Sequence, residues 1–229
     1  MSQLVAQDIH RLCNPPEGDG WPAPMITPYS ADRVVIRGRS AGLSSASYDV
    51  RIASDLTLSA QPQYALAKLL ARRDTPRRTL LKMVPPNSPD GHPTPEPDMG
   101  RIVMELARAL DLLDSLADLS RRSLEVMPYA LANTLEDFAM PTNVVGYVVD
   151  KSSHARLFVS AFNTLLDPGW AGNLTLELIN LSAEDLVLKA GDPICQIAFH
   201  YTTQSTDRPY SGKYMNQPKK PVPAIFETA

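Results

Sequence analysis

Residues 150–180, DKSSHARLFVSAFNTLLDPGWAGNLTLELIN, place charged and hydroxyl side chains between runs typical of buried strands. The first part holds two cations and two hydroxyls within six residues, from Lys151 to Arg156, a composition suited to binding phosphate oxygens. The segment DPGWAG is typical of a turn, and the strand predicted after it carries Glu177 among apolar residues. Because a carboxylate in such a strand needs a partner or a function, we expect the chemistry of the protein in this stretch.

The composition excludes several classes of protein. The chain has 229 residues, and 44% hydrophobic residues are enough to fill a globular core. A net charge of -3 gives no general attraction to nucleic acid or to an anionic membrane, so we expect neither as a partner. The two cysteines, Cys13 and Cys195, are far apart, and no apolar run has the length of a signal-peptide core or a membrane span. We therefore expect a soluble cytoplasmic protein.

Apolar spacing predicts helices in the first half of the chain. Residues 4–12 have the pattern of a short amphipathic helix that ends before Pro15. Residues 98–122 have the pattern of a longer one, which would be a covering helix or a subunit contact. Residues 62–83 are rich in Leu, Ala, Arg and Lys and favour a helix with a break at Pro76.

Short β-favouring runs separated by turn signals predict many strands. They are 34–36, 48–52, 124–131, 144–149, 157–161, 174–180, 186–189 and 194–201. Strands at this spacing indicate a barrel or a sandwich, and the lack of GxGxxG or GxxxxGK[ST] disfavours a Rossmann or P-loop fold. Residues 208–229 are polar with four prolines, which is typical of a tether, a lid or a disordered tail.

Five runs together carry a resemblance to a known family. In this order and spacing, DKSSHARL, LLDPGWAGNLTLELIN, AGDPICQIAF and RPYSGKYMNQ resemble the dCTP deaminase branch of the trimeric dUTPase superfamily, and SSASYDVRI resembles the first motif of that superfamily. The resemblance implies a mainly β fold, a dUTPase-like distorted β-barrel or jelly-roll with a few helices, assembled as a homotrimer. It implies a single β domain over residues 1–207, with an N-terminal helix and a helical insert around 59–123, and a C-terminal lid at 208–229.

The same resemblance implies deamination of dCTP to dUTP and ammonia, with Glu177 as general base and acid. Water deprotonated by Glu177 would attack C4 of cytosine, and the proton would pass to N3 and then to the amino group. The chain lacks the HxE and PCxxC signature of zinc deaminases, so no zinc is expected. Mg²⁺ is expected, bound mainly through the triphosphate.

Further roles follow from the second motif of the family. Ser152 would orient the water or Glu177, and Arg156 would hold the carboxylate in place. Ser153 and Lys151 would bind phosphate. Lys151 stands where an arginine is usual, so the charge is kept but the planar fork is lost. Without the resemblance, this cluster would be interpreted as a solvated turn.

Substrate-binding positions are also implied later in the chain. Asn163 would line the base pocket, Asp167 would contact the deoxyribose 3′-hydroxyl or hold the turn, and Gln196 would meet the phosphates. In the lid, closure over the nucleotide would place Tyr210 on the sugar or base and Lys213 and Gln217 on the phosphates.

Other functions remain open. One is phosphohydrolysis, either by a bifunctional dCTP deaminase/dUTPase that forms dUMP and pyrophosphate or by a dUTPase. The other is a non-catalytic relative that binds nucleotide or a protein partner. Glu177 disfavours the last, and the missing glycine-rich final motif disfavours a plain dUTPase. We expect mainly dUTP as product, because hydrolysis would need a second aligned water held by Asp49 or Asp167.

Overall fold

The chain is built mainly of short strands in the computed structural model, which describes residues 2–16, 24–61, 99–125 and 128–226. The helices of this part are α1 (Ala6–Cys13), α2 (Met99–Glu125) and α3 (Ser152–Ala155). The strands before α2 are β1 (Ser2–Gln3), β2 (Ile26–Thr27), β3 (Val34–Ile36), β4 (Arg39–Leu43), β5 (Tyr48–Arg51) and β6 (Leu56–Leu58). Those after it are β7 (Tyr129–Ala139), β8 (Val144–Asp150), β9 (Val159–Ala161), β10 (Leu165–Leu166), β11 (Ala171–Asn180), β12 (Leu186–Leu188) and β13 (Pro193–Tyr201). The helix expected at 62–83 lies outside the described residues.

Helix α1 confirms the expectation from apolar spacing. At its start the Asp8 carboxylate accepts a hydrogen bond from the Val5 backbone N–H at 3.1 Å, which satisfies a donor that the helix leaves free. Ile9 and Cys13 are buried on one face. The helix ends at Cys13, two residues before Pro15, which has no N–H to continue it.

Two antiparallel sheets carry the fold. The larger has the order β10-β8-β13-β5-β4-β3, with β1 also paired to β13, and the smaller has the order β2-β7-β11-β9. A bridge between Ile52 and Thr134 connects the two sheets, and β6 pairs with β12 in a separate ribbon. Side chains of both sheets, such as Phe199 and Leu176, belong to one apolar core. The mainly β class is confirmed.

The chain divides into two compact units. The first comprises Met1–Leu58, Pro128–Leu181 and Asp185–Ala229 and contains both sheets. The second comprises Ser59–Met127 and Ser182–Glu184 and contains α2, which confirms the long helix expected at 98–122. No helix in the described ranges combines the length and the apolar run that crossing a bilayer requires.

One predicted strand is wrong in its position. The run 124–131 was expected to be a strand, but α2 continues to Glu125 and β7 begins only at Tyr129. Pro128 separates the two elements, because proline disfavours helical backbone at the residue before it and cannot itself donate within a helix. Strand β7 continues to Ala139 and is the main pairing partner of β11. The sequence pattern placed this strand too early in the chain.

Candidate active site

A cavity of about 510 Å³ opens on the smaller sheet. This volume is typical of sites for small molecules. Strand residues, the loop before the DPGWAG turn and the C-terminal tail all contribute to its wall. The lining consists of Tyr129, Leu131, Thr164, Leu165, Leu166, Asp167, Trp170, Leu174, Thr175, Glu177, Tyr210, Tyr214, Gln217, Val222 and Ala224.

Glu177 lies near the middle of β11 and lines this cavity. Its neighbours Leu176 and Leu178 are fully buried in the core, so the alternation of the strand places Glu177 on the opposite face. It pairs with Leu131 of β7, and its carbonyl accepts the N–H of Phe162 at 2.9 Å. Burial raises the pKa of the Glu177 carboxyl, with a hydrogen bond to its own backbone opposing the shift. A carboxyl that holds its proton more tightly than usual is suited to general acid–base catalysis.

The C-terminal tail is held against the DPGWAG turn. The Tyr210 N–H donates to the Pro168 carbonyl at 2.9 Å, and the Trp170 indole N–H donates to the Tyr214 carbonyl at 2.7 Å. Gly172 allows the tail to approach the backbone of β11 closely, because a Cβ at this position would lie 2.6 Å from the backbone nitrogen of Gln217. The tail therefore covers its own chain's β11 and forms one wall of the cavity.

Gln217 is fixed by a strand residue. Its Oε1 accepts hydrogen bonds from the Thr175 hydroxyl at 2.8 Å and from the Thr175 backbone N–H at 3.3 Å. The same hydroxyl accepts the Val222 N–H at 3.1 Å. Since Thr175 precedes Glu177 by two residues on one strand face, this small network anchors the tail beside the candidate base.

The other predicted substrate-binding residues of this region have different positions. Asp167 and Tyr210 line the cavity, and the Tyr210 hydroxyl accepts the Tyr214 N–H at 3.1 Å. Lys213 is exposed, with its ammonium 5.5 Å from the centre of the Tyr214 ring. Asn163 is exposed in the loop between β9 and β10 and is absent from the described lining of the cavity.

Lys151 belongs to a buried ion pair. Its Nζ lies 2.7 Å from Oδ2 of Asp49 and donates to the Ser40 hydroxyl at 2.8 Å, and that hydroxyl donates to the same Asp49 oxygen at 2.8 Å. The two charged side chains are only 8% and 5% exposed. The ammonium that was expected to bind phosphate is thus engaged by a carboxylate of β5.

Helix α3, directly after Lys151, carries the rest of the predicted second motif. Ser152 and Arg156 are exposed, and the Arg156 guanidinium donates to the Ser152 carbonyl at 3.1 Å. The Ser153 hydroxyl oxygen is buried and has no hydrogen-bond partner among the described residues. Among the contacts of the described residues, none joins Arg156 to Glu177 within one chain.

His154 connects α3 to the strand that carries Gln196. The ring is buried, and its Nε2 donates to the Pro193 carbonyl at 2.9 Å at the start of β13. Burial lowers the pKa of His154, so the neutral ring is favoured. The Gln196 amide donates to the Asp150 carbonyl at 3.1 Å and accepts from the Ser47 hydroxyl at 3.2 Å. The Gln196 side chain therefore links β13 to β8 and to the residue before β5.

Nine of the eleven predicted site residues fall into two groups in the single chain, and Asn163 and Lys213 belong to neither. The group lining the cavity consists of Glu177, Asp167, Tyr210 and Gln217. The group on or near the larger sheet, absent from the described lining, consists of Lys151, Ser152, Ser153, Arg156 and Gln196. Sequence reasoning missed Tyr129 and Thr175 as lining residues. The alternation of side chains along β11 places Thr175 on the same face as Glu177 and could have identified it. Tyr129 was not identified because the strand that contains it was predicted too early in the chain, at 124–131.

The donor set for metals is sparse. The described residues contain no group of three His, Cys, Asp or Glu side chains arranged to hold an ion. These side chains do not fit a magnesium ion held by the protein alone, because Mg²⁺ requires several oxygen ligands in octahedral geometry.

Comparison with known proteins points to one family. A dCTP deaminase-like family model matches residues 100–202, a range that includes Glu177, α3 and Gln196. A dCTP deaminase from Pyrococcus horikoshii is 37% identical over 114 residues, which cover 48% of this chain and 73% of that protein. A protein from Methanoregula boonei, named dCTP deaminase, dUMP-forming, is 40% identical over 95 residues, which cover 39% of this chain and 51% of the relative.

A solved structure is also similar. The 2′-deoxycytidine 5′-triphosphate deaminase from Agrobacterium tumefaciens matches with a TM-score of 0.44 and 17% identity over 88% of this chain and 48% of that one. The chain spans about half the length of several of the curated relatives that it matches. At 37% identity over 73% of the Pyrococcus protein, however, the relationship is close, and the chain belongs to the dCTP deaminase family.

Proposed function

We propose that the protein deaminates dCTP to dUTP and ammonia. The observation that carries this proposal is the position of Glu177, a half-buried carboxyl with a raised pKa in the wall of a cavity of about 510 Å³. Membership of the dCTP deaminase family supports the choice of cytosine as the reacting base. A cytoplasmic location, where deoxynucleoside triphosphates are made and used, is part of the proposal.

The reaction needs one group that moves a proton twice. Ionised Glu177 takes a proton from water, and the oxygen attacks C4 of cytosine while N3 receives the proton through the same carboxyl. In the second half, Glu177 takes the remaining proton from the hydroxyl on C4 and delivers it to the exocyclic nitrogen, the C4–N bond breaks, and ammonia leaves. The water oxygen remains as O4 of uracil, so the atoms balance without an additional reactant. A positioned general base contributes roughly 10²–10⁴-fold, and orientation in the cavity must supply the rest.

We propose that the second-motif half of each site, carried by helix α3 and Arg156, comes from a neighbouring subunit of a homotrimer. Arg156 and Ser152 are exposed and lie outside the described lining of the Glu177 cavity, which is what a shared site requires. Mixing inactive Glu177→Gln and Arg156→Ala chains should then restore part of the activity, because some sites would combine two intact halves. No recovery after subunit exchange, or an active monomer in sedimentation, would refute the arrangement.

The product is expected to be mainly dUTP. A second candidate, a bifunctional enzyme that forms dUMP and pyrophosphate, is favoured by Asp167 in the cavity wall and by the name of the Methanoregula relative. Against it stands Asp49, which is engaged by Lys151 and Ser40 and so is not available to align a second water. Any Mg²⁺ would be bound by the triphosphate rather than by a group of protein ligands.

The decisive experiment is incubation of the protein with dCTP and Mg²⁺, followed by an ammonia assay and anion-exchange separation of nucleotides. We expect ammonia and dUTP in equal amounts from the wild type and neither from Glu177→Gln. Pyrophosphate in step with ammonia, without dUTP, would establish the bifunctional reaction instead. A zinc-selective chelator should leave the activity unchanged. If dCTP yields no ammonia, the proposed function is wrong.

A further inference from the structure

Two large aromatic side chains are exposed beside the Glu177 cavity. Tyr129, at the start of β7, is 37% exposed and lines the cavity, and Phe162, just after β9, is 48% exposed. Their ring centroids are 6.3 Å apart and the planes are inclined by 34°. Neither ring belongs to the apolar core. Burial of these rings therefore does not explain why both positions are aromatic.

The strand register places both rings close to the candidate base. Leu131 pairs with Glu177, and Tyr129 precedes Leu131 by two residues, so the three side chains project from the same face of the sheet. Phe162 is linked to the same place, because its backbone N–H donates to the Glu177 carbonyl at 2.9 Å. Tyr129 and the Glu177 carboxyl thus line the same cavity, with the Phe162 ring next to Tyr129.

This arrangement suits a planar ligand whose edge must meet a carboxyl. A ring stacked on Tyr129 would be desolvated on one face while its edge stays free to meet the carboxyl on the neighbouring strand. Hydrophobic side chains around a base exclude water, but only a flat π-system also fixes the plane of the base. The Phe162 ring lies beside the Tyr129 ring, with the two planes inclined by 34°.

We propose that Tyr129, supported by Phe162, is the surface on which the pyrimidine ring stacks when its C4 faces Glu177. This inference rests on the proposed function and adds the residue that orients the base. It assigns a substrate contact to a position outside the motifs that identified the family. Tyr129 therefore contributes to recognition of the base, and not to recognition of the triphosphate.

The test compares a ligand that has a base with one that lacks it. Binding of dCTP and of inorganic tripolyphosphate is measured by calorimetry for the wild type, Tyr129→Ala and Tyr129→Phe. Loss of one stacking contact should weaken dCTP binding about 5- to 150-fold in Tyr129→Ala, with tripolyphosphate affinity unchanged and with Tyr129→Phe close to the wild type. Val187→Ala is the matched control, since Val187 is 54% exposed on β12, away from the cavity lining.

Each other outcome overturns the inference. Equal weakening of both ligands would mean a general disturbance of the site, and unchanged dCTP affinity would mean that the ring makes no contact. A changed oligomeric mass of Tyr129→Ala in sedimentation, with base affinity retained, would assign the aromatic pair to a subunit interface. If Tyr129→Ala does not fold, Tyr129→Leu retains a branched apolar side chain without the flat ring and is expected to show the same selective loss. Turnover of dCTP by the wild type tests the proposed function separately. The ratio of the affinities for dCTP and tripolyphosphate is a binding measurement and does not depend on whether dCTP is deaminated.

Discussion

The buried pair of Lys151 and Asp49 predicts a large loss of stability when either charge is removed. Lys151→Met keeps most of the side-chain volume but leaves the Asp49 carboxylate with the Ser40 hydroxyl as its remaining partner in the network. Asp49→Asn leaves the ammonium beside a neutral amide. In both variants a charge that is almost fully buried loses its counter-charge, and the penalty of desolvation is no longer offset.

The magnitude follows from the burial of the pair. Removing one partner of a buried ion pair costs about 3–5 kcal/mol, whereas an exposed pair is worth about 0–1 kcal/mol. With side chains only 8% and 5% exposed, the first case applies. At about 2–4 °C per kcal/mol for a chain of this size, each single variant should lose roughly 6–20 °C in Tm. The double variant Lys151→Met, Asp49→Asn should lose less than the sum of the two, because no unpaired charge remains.

Urea unfolding followed by tryptophan fluorescence gives the free energy of unfolding of all four proteins, since Trp170 is buried in the β unit. Ser54→Ala, at an exposed position of the same unit, is a suitable control. If both single variants cost less than about 1 kcal/mol, the ammonium is solvated and the structural argument fails. A stable Lys151→Met protein with strongly weakened tripolyphosphate binding would instead return Lys151 to the phosphate-binding role expected from sequence.

Three other perturbations test the remaining parts of the site. Glu177→Gln should abolish ammonia release while dCTP binding stays within about threefold, and retained turnover would show that this residue is not the base. In the wild type, kcat should fall as the pH is lowered, because acid protonates the Glu177 carboxylate, whose pKa is raised. The pKa of His154 in the folded protein is below its ordinary 6.5, so the neutral ring contributes stability that is present above pH 6.5 and is lost as the pH falls. In urea titrations from about pH 7.5 to 5, the free energy of unfolding of His154→Gln should therefore decline less than that of the wild type. An identical decline in the two proteins would contradict this argument. Thr175→Val removes the hydroxyl that forms hydrogen bonds with Gln217 and Val222. Trypsin should therefore cut the tail of this variant about 5- to 30-fold faster than that of the wild type. An unchanged rate of cleavage would show that these hydrogen bonds do not hold the tail.

Local spacing was sufficient for several elements and for the candidate base. Apolar residues at helical intervals predicted α1 and α2, and alternating or apolar runs predicted β8, β11 and β13. Glu177 stood out because an ionisable group is costly in an apolar strand unless it has a partner or a function. The boundary between α2 and β7 was misplaced because a short apolar run fits both periods, and position alone does not distinguish them.

The partners of the predicted residues were decided by the tertiary structure. Lys151 and Asp49 are 102 positions apart, and they meet because β13 lies between β5 and β8 in the larger sheet. Gln217 meets Thr175 because the tail returns along β11. The sequence by itself determined which segments form helices and strands and which side chain is out of place in its strand, since those properties depend on neighbouring residues. Strand order and the path of the tail decided which charges are neutralised and which side chains share the cavity, because such contacts join segments whose local patterns carry no information about each other.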